Sequence, residues 1–348
     1  MTRVFSITDR GVFKVVLTFV SIVLFTIPTL LGQTDKKPNV LIIMADDLTY
    51  LDLPIYGGQN IATPNIDAFR RQGLKFNKAF VSMAMCTPSR SELLTGKYPL
   101  SNGAMFNHTR TKEGTKSMVH YLEGLGYRVG IAGKTHIKPK SAYPFEYIEG
   151  IEGSAVAKTA GCNLSEVEKF MAKVAPFCLI TALTSPHAPW TVGEPEKIDL
   201  EGLVLPPNMA DTKITRESYR RYLAEIMVFD EQVGSILDAL DKTGKANNTL
   251  VLLTTEQGAQ FPFNKWTNFN AGIHTGIVIR WPGKVVPNSE TDALVQYADV
   301  LPTLIEACGG EITEKNGFDG SSFLDVLRGK AKTHRKYAYA LHHNDAFR

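Results

Sequence analysis

Four short apolar segments of this chain end abruptly in charged or amide side chains. The segments are 40–45, 127–132, 177–183 and 250–255, and the polar groups that follow them are Asp46 and Asp47, Lys134 and His136, His187, and Glu256 and Gln257. Segments of helical periodicity separate these runs, which predicts an α/β fold with a mostly parallel central sheet covered by helices on both faces. Ligands bind beyond the carboxyl ends of the strands in such sheets, so we expect the polar groups to converge on one pocket.

Helix signals occur between the strands. The N-cap and first-turn chemistry of Thr63 and Pro64 predicts a helix over 63–69. Ser165 and Glu168 have the spacing of a capping box, and apolar residues recur at helical spacing over 219–240, which predicts a long amphipathic helix. The Gly- and Ala-rich segment 148–161 is predicted to be a surface loop and not a domain boundary.

The overall charge argues against a nucleic-acid partner. The 348 residues include 38 Lys plus Arg against 35 Asp plus Glu, a net charge of +3, and the basic residues form no block. Such a balance offers no electrostatic footprint for nucleic acid. The four cysteines, at positions 86, 162, 178 and 308, are too scattered for a disulfide framework or for a zinc site with paired ligand spacing.

The N-terminal segment has the composition of a secretory signal. Basic residues precede an apolar run over 15–31, and polar sequence follows it. We interpret residues 1–33 as a signal peptide and 34–348 as the catalytic domain, which predicts an exported protein, periplasmic or secreted, or lysosomal or extracellular in a eukaryotic source. The region 29–33 lacks an A-x-A cleavage pattern, so an uncleaved membrane anchor is the competing interpretation.

One motif carries most of the chemical information. Residues 86–96 match the pattern C-x-P-S-R-x-x-x-L-T-G throughout. A helix from Pro88 to Leu94 would direct its free N–H groups and the positive end of its dipole toward Cys86, which favours an anionic nucleophile or an anionic substrate there. A plain thiolate would benefit as well, and a lone cysteine before a helix is more often a small buried side chain. The matched positions around Cys86 favour the functional interpretation.

The motif resembles the signature of the type I sulfatases, which belong to the alkaline-phosphatase superfamily. The resemblance extends from Asn39 to about Gly310 and implies an alkaline-phosphatase-like fold. It also implies that a formylglycine-generating enzyme oxidises Cys86 to formylglycine, an aldehyde whose hydrated form is the nucleophile. The family usually has a small C-terminal subdomain, which we expect to be missing or truncated because the sequence stops soon after the segment 299–307.

The resemblance further implies a divalent metal bound by two pairs of residues and by residue 86. Asp46 and Asp47 stand in place of the first pair, and Glu256 and Gln257 in place of the usual Asp followed by Asn or His. Glu and Gln are each one methylene longer, so the metal is expected to sit differently or to bind less tightly. With an oxygen on the modified residue 86 all ligands are oxygens, which favours Ca²⁺ or Mg²⁺ over zinc, and Ca²⁺ is the family's usual ion.

The remaining site residues also follow from the resemblance. It implies that Arg90 stabilises the hydrated aldehyde, that Lys134 contacts sulfate and that His136 hydrogen-bonds residue 86. His187 and Lys265 are then the candidates for protonating the leaving group, and Lys265 also contacts sulfate. Taken alone, a single Lys or His of this kind usually has no function, so the assignment depends on the set.

These residues predict hydrolysis of a sulfate ester or a sulfamate on a sulfated small molecule or polysaccharide. The spacing over 256–263 resembles that of heparan N-sulfatase-like and bacterial polysaccharide sulfatases, which favours a sulfated sugar. A phosphate or phosphonate monoester hydrolase of the same superfamily is one alternative. An inactive, metal-bearing carbohydrate-binding relative is another, motivated by the Glu256-Gln257 pair. His108 is interpreted as a surface or helix-face residue.

Overall fold

The computed structural model describes residues 36–342. The predicted signal peptide, 1–33, therefore lies outside the described residues. Within 36–342, no helix is both long enough and apolar enough to cross a membrane. From Lys37 onward the described residues form one compact unit.

Nine strands of this part of the chain form one sheet. They are β1 (Asn39–Met44), β2 (Leu74–Phe80), β3 (Arg128–Gly133), β4 (Glu146–Ile148), β5 (Phe177–Ala182), β6 (Thr249–Thr254), β7 (His274–Arg280), β8 (Ser289–Thr291) and β9 (Val295–Gln296). The strand order is β4-β3-β5-β1-β6-β7-β2-β8, and β9 also pairs with β2. Among these strands only β7 runs antiparallel to its neighbours, so the predicted mostly parallel sheet is confirmed.

The four strands predicted from the sequence are neighbours in the centre of this sheet. Strands β3, β5, β1 and β6 lie side by side and parallel, and each begins and ends within one residue of the predicted segment. In the register, Met44 pairs with both Ala182 and Thr254, and Gly133 also pairs with Ala182. All four strands therefore end at the same edge, which brings their polar successors together.

Helices cover both faces of the sheet. They are α1 (Pro64–Arg70), α2 (Cys86–Thr95), α3 (Pro99–Asn102), α4 (Met118–Glu123), α5 (Ser165–Ala172), α6 (Lys213–Lys242), α7 (Asn270–Ile273), α8 (Val300–Ala307) and α9 (Leu324–Leu327). Short 3-10 helices occur at Tyr50–Asp52, Pro54–Tyr56, Pro195–Lys197, Ala246–Asn248, Tyr297–Asp299 and Glu314–Asn316. The predicted long helix is confirmed as α6, which begins six residues before the predicted segment and has 30 residues.

Alternation along β1 shows how the two layers form. Val40 and Ile42 point into an apolar core shared with α2, α4 and α8, whereas Leu41 and Ile43 point into a second core shared with α1, α5 and α6. A strand buried on both faces appears in the sequence as a continuous apolar run, as this one does. The predicted arrangement of helices on both faces is confirmed.

One local prediction is wrong. Ser165 does not cap α5, because it is already the first residue of the helix and its side chain makes no capping hydrogen bond. Its backbone N–H instead donates to Oδ1 of Asn163 at 3.2 Å, so an Asx turn precedes the helix.

Candidate active site

Helix α2 places Cys86 at its first turn. The predicted helix is confirmed and starts two residues earlier than expected, so that Cys86 is its first residue and the extended Met85 is its N-cap. The helix ends at Gly96, whose φ of 64° is left-handed. All ten residues of α2 are buried, and Cys86 itself has no exposed surface.

The polar strand ends meet around the Cys86 thiol. Sγ lies 3.6 Å from Oδ1 of Asp46 and 3.5 Å from Oδ1 of Asp47. Nε2 of Gln257 is 3.5 Å from the same sulfur, and Nζ of Lys134 is 3.7 Å from it. The predicted convergence of these groups on one site is confirmed.

The backbone near the site is held in uncommon conformations. Asp47, Glu256 and His136 have φ values of 62°, 61° and 49°, a region that non-glycine residues rarely adopt and that costs about 1–3 kcal/mol each. Gly133, which precedes the Lys134 loop, has φ of +90°, and a Cβ there would lie 2.1 Å from the carbonyl oxygen of Ala182. The close approach of β3 and β5 at this edge therefore requires glycine.

Two buried lysines neutralise the two aspartates. Lys134 Nζ lies 2.5 Å from Oδ2 of Asp46, and Lys265 Nζ lies 2.6 Å from Oδ2 of Asp47. Burial alone would raise the pKa of Asp46, but Lys134 and Arg90 together lower it well below its ordinary value. Burial would likewise lower the pKa of Lys265, but the neighbouring Cys86 and Asp47 raise it. The Asp46 carboxylate and the ammonium groups of Lys134 and Lys265 are therefore charged inside the fold.

Glu256 is close to the aspartates but faces Arg90. Arg90 Nε lies 2.6 Å from Oε1 of Glu256, and its Nη2 lies 3.4 Å from Oδ1 of Asp46. Burial raises the pKa of Glu256 to about 8, against the opposing effect of Arg90. Gln257 accepts a hydrogen bond from Oγ of Ser89 at 3.0 Å through Oε1 and donates to Oδ1 of Asp47 at 2.5 Å through Nε2.

A four-residue cluster has the composition of a metal site. Potential ligand atoms of Asp46, Asp47, Cys86 and His187 all lie within 4.8 Å of one another. His187 Nε2 is 3.4 Å from Oδ2 of Asp47 and 3.5 Å from Nζ of Lys265. Burial lowers the pKa of His187, although Asp46 and Asp47 oppose this. His187, predicted only as a proton donor, thus also lies beside the candidate metal ligands.

His136 contacts a residue that the sequence analysis set aside. Nε2 of His136 lies 3.0 Å from Nδ1 of His108, and a hydrogen bond between His136 and residue 86 is not among the contacts within 36–342. Burial, followed by the charge of Lys134, lowers the pKa of His136 to about 3, so the ring is neutral. His108 is exposed as predicted, but its backbone N–H donates to Oγ1 of Thr87 at 3.2 Å, which ties its loop to the start of α2.

A cleft of about 430 Å³ opens at this point. Its walls include Cys86, Lys134, His136, His187 and Lys265. They also include His108 and Trp266, which the sequence analysis did not select. This volume suits a small ligand such as one or two sugar rings. Trp266 is 46% exposed, and its ring lies 5.2 Å from Nζ of Lys265. No pattern in a single sequence distinguishes such a tryptophan from an ordinary surface residue.

A buried ion pair supports the loop that carries His187. Lys158 donates from Nζ to the carbonyl oxygen of His187 and to Glu225 on α6. Glu225 also accepts from the backbone N–H groups of Thr191 at 2.7 Å and Val192 at 3.2 Å. The predicted surface loop 148–161 is mostly exposed, yet Lys158 within it is buried.

A family model for sulfatases matches residues 38–310. The chain belongs to the sulfatase family. It is 33% identical over 312 residues to an ulvan-active sulfatase of Formosa agariphila, a match that covers 89% of this chain and 61% of that protein. It is 27% identical over 321 residues to the human N-sulphoglucosamine sulphohydrolase, covering 79% of this chain and 62% of that protein. This sulfatase chain therefore spans a little over 60% of the length of these two relatives.

Solved structures of low sequence identity share the fold. A protein in complex with D-glucosamine-2-N,6-O-disulfate, described as its substrate, superimposes with a TM-score of 0.71 at 21% identity. The match covers 89% of this sulfatase chain and 85% of that protein. The alkaline-phosphatase-like fold expected from the resemblance is thus confirmed.

Proposed function

We propose that this sulfatase hydrolyses a sulfate ester or a sulfamate of a sulfated carbohydrate, with Cys86 oxidised to formylglycine. The observation that carries the proposal is the position of the Cys86 side chain. It is the first residue of a buried helix, and both aspartates and Lys134 lie within 3.7 Å of its sulfur. The sulfated-sugar assignment is supported by the relatives, since one is named for ulvan and one for N-sulphoglucosamine.

The donor set fits a hard divalent cation. Asp46 and Asp47 present carboxylate oxygens to one point, and Gln257 lies beside them with its amide nitrogen toward Asp47. We infer that these residues, with an oxygen on the modified residue 86, would hold Ca²⁺, which oxygen ligands favour. Glu256 differs from these residues, because its carboxylate is paired with Arg90. Bound Ca²⁺ would supply positive charge that polarises the sulfuryl group.

The residues around the cleft would perform separate parts of the reaction. A hydrated formylglycine would supply two hydroxyls. The first would lose its proton to water and attack sulfur as the S–O or S–N bond to the sugar breaks; deprotonation of the second would re-form the aldehyde and break the C–O bond to the bound sulfate. Lys134 and Lys265 stay protonated and would neutralise the sulfuryl oxygens, and Arg90 would stabilise the hydrate. Because the pKa of Lys265 is raised, we assign the proton for the leaving group to Nε2 of doubly protonated His187, a form that the neighbouring Asp46 and Asp47 favour.

The second proton transfer is assigned to His136. Its ring is neutral at neutral pH, and its Nδ1 is buried without a hydrogen-bond partner in the described range. A neutral nitrogen with a free lone pair can accept the proton that leaves the second hydroxyl. The contact with His108 fixes the ring from the other side.

Co-expression with a formylglycine-generating enzyme tests the proposal. Peptide mass analysis should show the aldehyde at residue 86, and the protein should then turn over an aryl sulfate faster than the matching aryl phosphate. Cys86→Ala serves as the inactive control. Faster turnover of the phosphate would favour the phosphate or phosphonate monoester hydrolase instead. If residue 86 is converted but the protein turns over neither of these substrates, nor N- or O-sulfated sugars, the result would favour the inactive binding protein.

Export completes the proposal. We infer that residues 1–33 direct the chain out of the cytoplasm, where a sulfated polysaccharide would be its substrate. Expression of the full chain followed by N-terminal sequencing of the exported protein tests this. A protein retained with its first 33 residues and extracted only with detergent would support the membrane anchor instead.

A further inference from the structure

A second groove lies next to the catalytic cleft and takes no part in the proposed reaction. It has a volume of about 590 Å³. Pro189 and Trp190 form one wall, and Lys213, Ile214 and Arg221 of α6 form the other. We call these five residues the basic groove. The loop that carries Pro189 and Trp190 runs directly on from the cleft, since His187 lines the cleft and the next residue, Ala188, lines the groove.

The groove has two cations without partners. Lys213 and Arg221 are exposed, and neither forms an ion pair or a side-chain hydrogen bond with any residue in 36–342. The neighbouring arginines of α6 differ, because Arg216 pairs with Asp211 and Arg220 pairs with Glu217. Glu217 also lines the groove, but its carboxylate is paired with Arg220. The positive charge of Lys213 and Arg221 is therefore available to an anionic ligand, and a guanidinium suits a sulfate group well.

The walls of the groove are apolar and fixed. One face of the Trp190 indole stacks on Phe261, with the ring centroids 4.9 Å apart and the planes at 15°. Its Nε1–H donates to the carbonyl oxygen of Pro186 at 2.9 Å. Ile214 on the opposite wall is 80% exposed. A rigid indole and an exposed aliphatic side chain suit the C–H face of a sugar ring, while the two cations suit its sulfate.

The cleft and the groove are connected by one rigid support. Glu225 holds the loop through Thr191 and Val192, and its partner Lys158 holds the carbonyl of His187. Arg221 lies one helical turn before Glu225, on the same face of α6. The distance between the two binding regions is therefore set by buried contacts rather than by a flexible loop.

We propose that the basic groove binds a second sulfated sugar unit of the chain whose sulfate is removed in the cleft. The inference rests on the proposed function and specifies its substrate class as an oligo- or polysaccharide with more than one sulfated unit. It follows that the enzyme discriminates by length, with a lower KM for sulfated oligosaccharides than for monosaccharides.

Kinetics on two substrates test the groove. The double variant Lys213→Ala/Arg221→Ala is compared with the native protein on a sulfated hexasaccharide and on an aryl sulfate. Each exposed ion pair contributes up to about a fivefold change in affinity, and the variant removes two cations, so we expect kcat/KM for the hexasaccharide to fall by about 5- to 25-fold, mainly through KM. Turnover of the aryl sulfate should stay within twofold. The matched control is Arg328→Ala/Lys330→Ala, which removes the same charge from exposed positions elsewhere. Equal losses on both substrates, or an equal loss in the control, would overturn the proposal.

Binding without turnover separates this inference from the proposed function. In the Cys86→Ala protein, calorimetry measures the affinity for hexasaccharides of ulvan, carrageenan and heparin. We expect at least one to bind, its desulfated form to bind more weakly, and the Lys213→Ala/Arg221→Ala change to weaken binding at least fivefold. Failure of the native protein to cleave sulfate would then refute the proposed reaction alone. Binding that the double substitution leaves unchanged, or no binding to any of the three, would refute the groove.

Discussion

Glu92, in the middle of the motif helix α2, should make the stability of this protein depend on pH. Its carboxylate is buried and accepts hydrogen bonds from the N–H of Ser82 at 2.9 Å and from the N–H of Ala298 at 3.2 Å. It thereby ties α2 to two other segments. Burial raises the pKa of Glu92 from 4.5 to about 7, and these hydrogen bonds oppose the increase only in part.

The sign of the effect follows from the direction of this shift. The folded protein holds the Glu92 proton more tightly than the unfolded chain. The contribution of Glu92 to the free energy of unfolding is therefore fully present below pH 4.5 and is lost as the pH rises through about 7. A pKa shift of this size corresponds to about 3 kcal/mol in the free energy of unfolding, and about 2.5 kcal/mol of it is lost between pH 5 and pH 8. Glu92→Gln removes the titration. It should cost about 1 kcal/mol at pH 5, because the amide N–H₂ group then faces a backbone N–H.

Urea unfolding at pH 5 and pH 8, at constant ionic strength, measures the effect. The free energy of unfolding of Glu92→Gln, relative to the native protein, should rise by about 2.5 kcal/mol between these two pH values. Other titrating groups cancel in this difference. Glu306→Gln, at an exposed position on α8, is the control and should show no such change. A difference that stays constant within about 0.5 kcal/mol across the pH range would refute the reasoning.

Three further predictions concern the site itself. Cys86→Ser should keep the fold and metal affinity but react at most once per molecule, since one hydroxyl cannot release the sulfate; steady multiple turnover in an aryl sulfatase assay would contradict this. Chelation of Ca²⁺ should abolish turnover and lower Tm. It should not unfold the protein at 25 °C, because Lys134 and Lys265 already neutralise the aspartates. In calorimetry, Ca²⁺ at a hundred times its Kd should restore about 2.7 kcal/mol of stability. Gly133→Ala should lower the free energy of unfolding by about 2 kcal/mol or more and reduce activity, since its Cβ would lie 2.1 Å from a carbonyl oxygen. The control Gly126→Ala, at a similar φ and with no neighbour within 4 Å, should lower it less. Equal losses of stability in urea melts would be inconsistent with the steric argument.

The centre of the fold could be predicted because its signals are local. The strands β1, β3, β5 and β6 are buried on both faces, so each appears as an uninterrupted apolar run with an abrupt polar end. Parallel strands also end at a common edge, so the convergence around Cys86 followed from chain order alone.

The strands beyond β6 in the sheet could not be predicted in the same way. Strand β2 contains Lys75, Asn77 and Lys78, and its pairing with β7 is irregular between Phe76 and Ala79. Its partner lies about 200 residues away along the chain, so no local pattern indicates the antiparallel pairing. The same limit applies to His108 and Lys158. Each lies in a loop without periodicity, and its importance depends on a contact with a distant residue, His136 or Glu225.

The complete burial of helix α2 restricts when Cys86 can be modified. An enzyme that oxidises this thiol has to enclose the residues around it, and in the folded protein all ten residues of α2 are buried. Under the proposed function, the oxidation would therefore occur on a chain that has not yet folded, in competition with the formation of the sheet. A preparation that folds quickly, or in a compartment without the oxidising enzyme, would contain a stable but permanently unconverted population. For this protein, the yield of correctly folded material and the yield of active material are separate quantities.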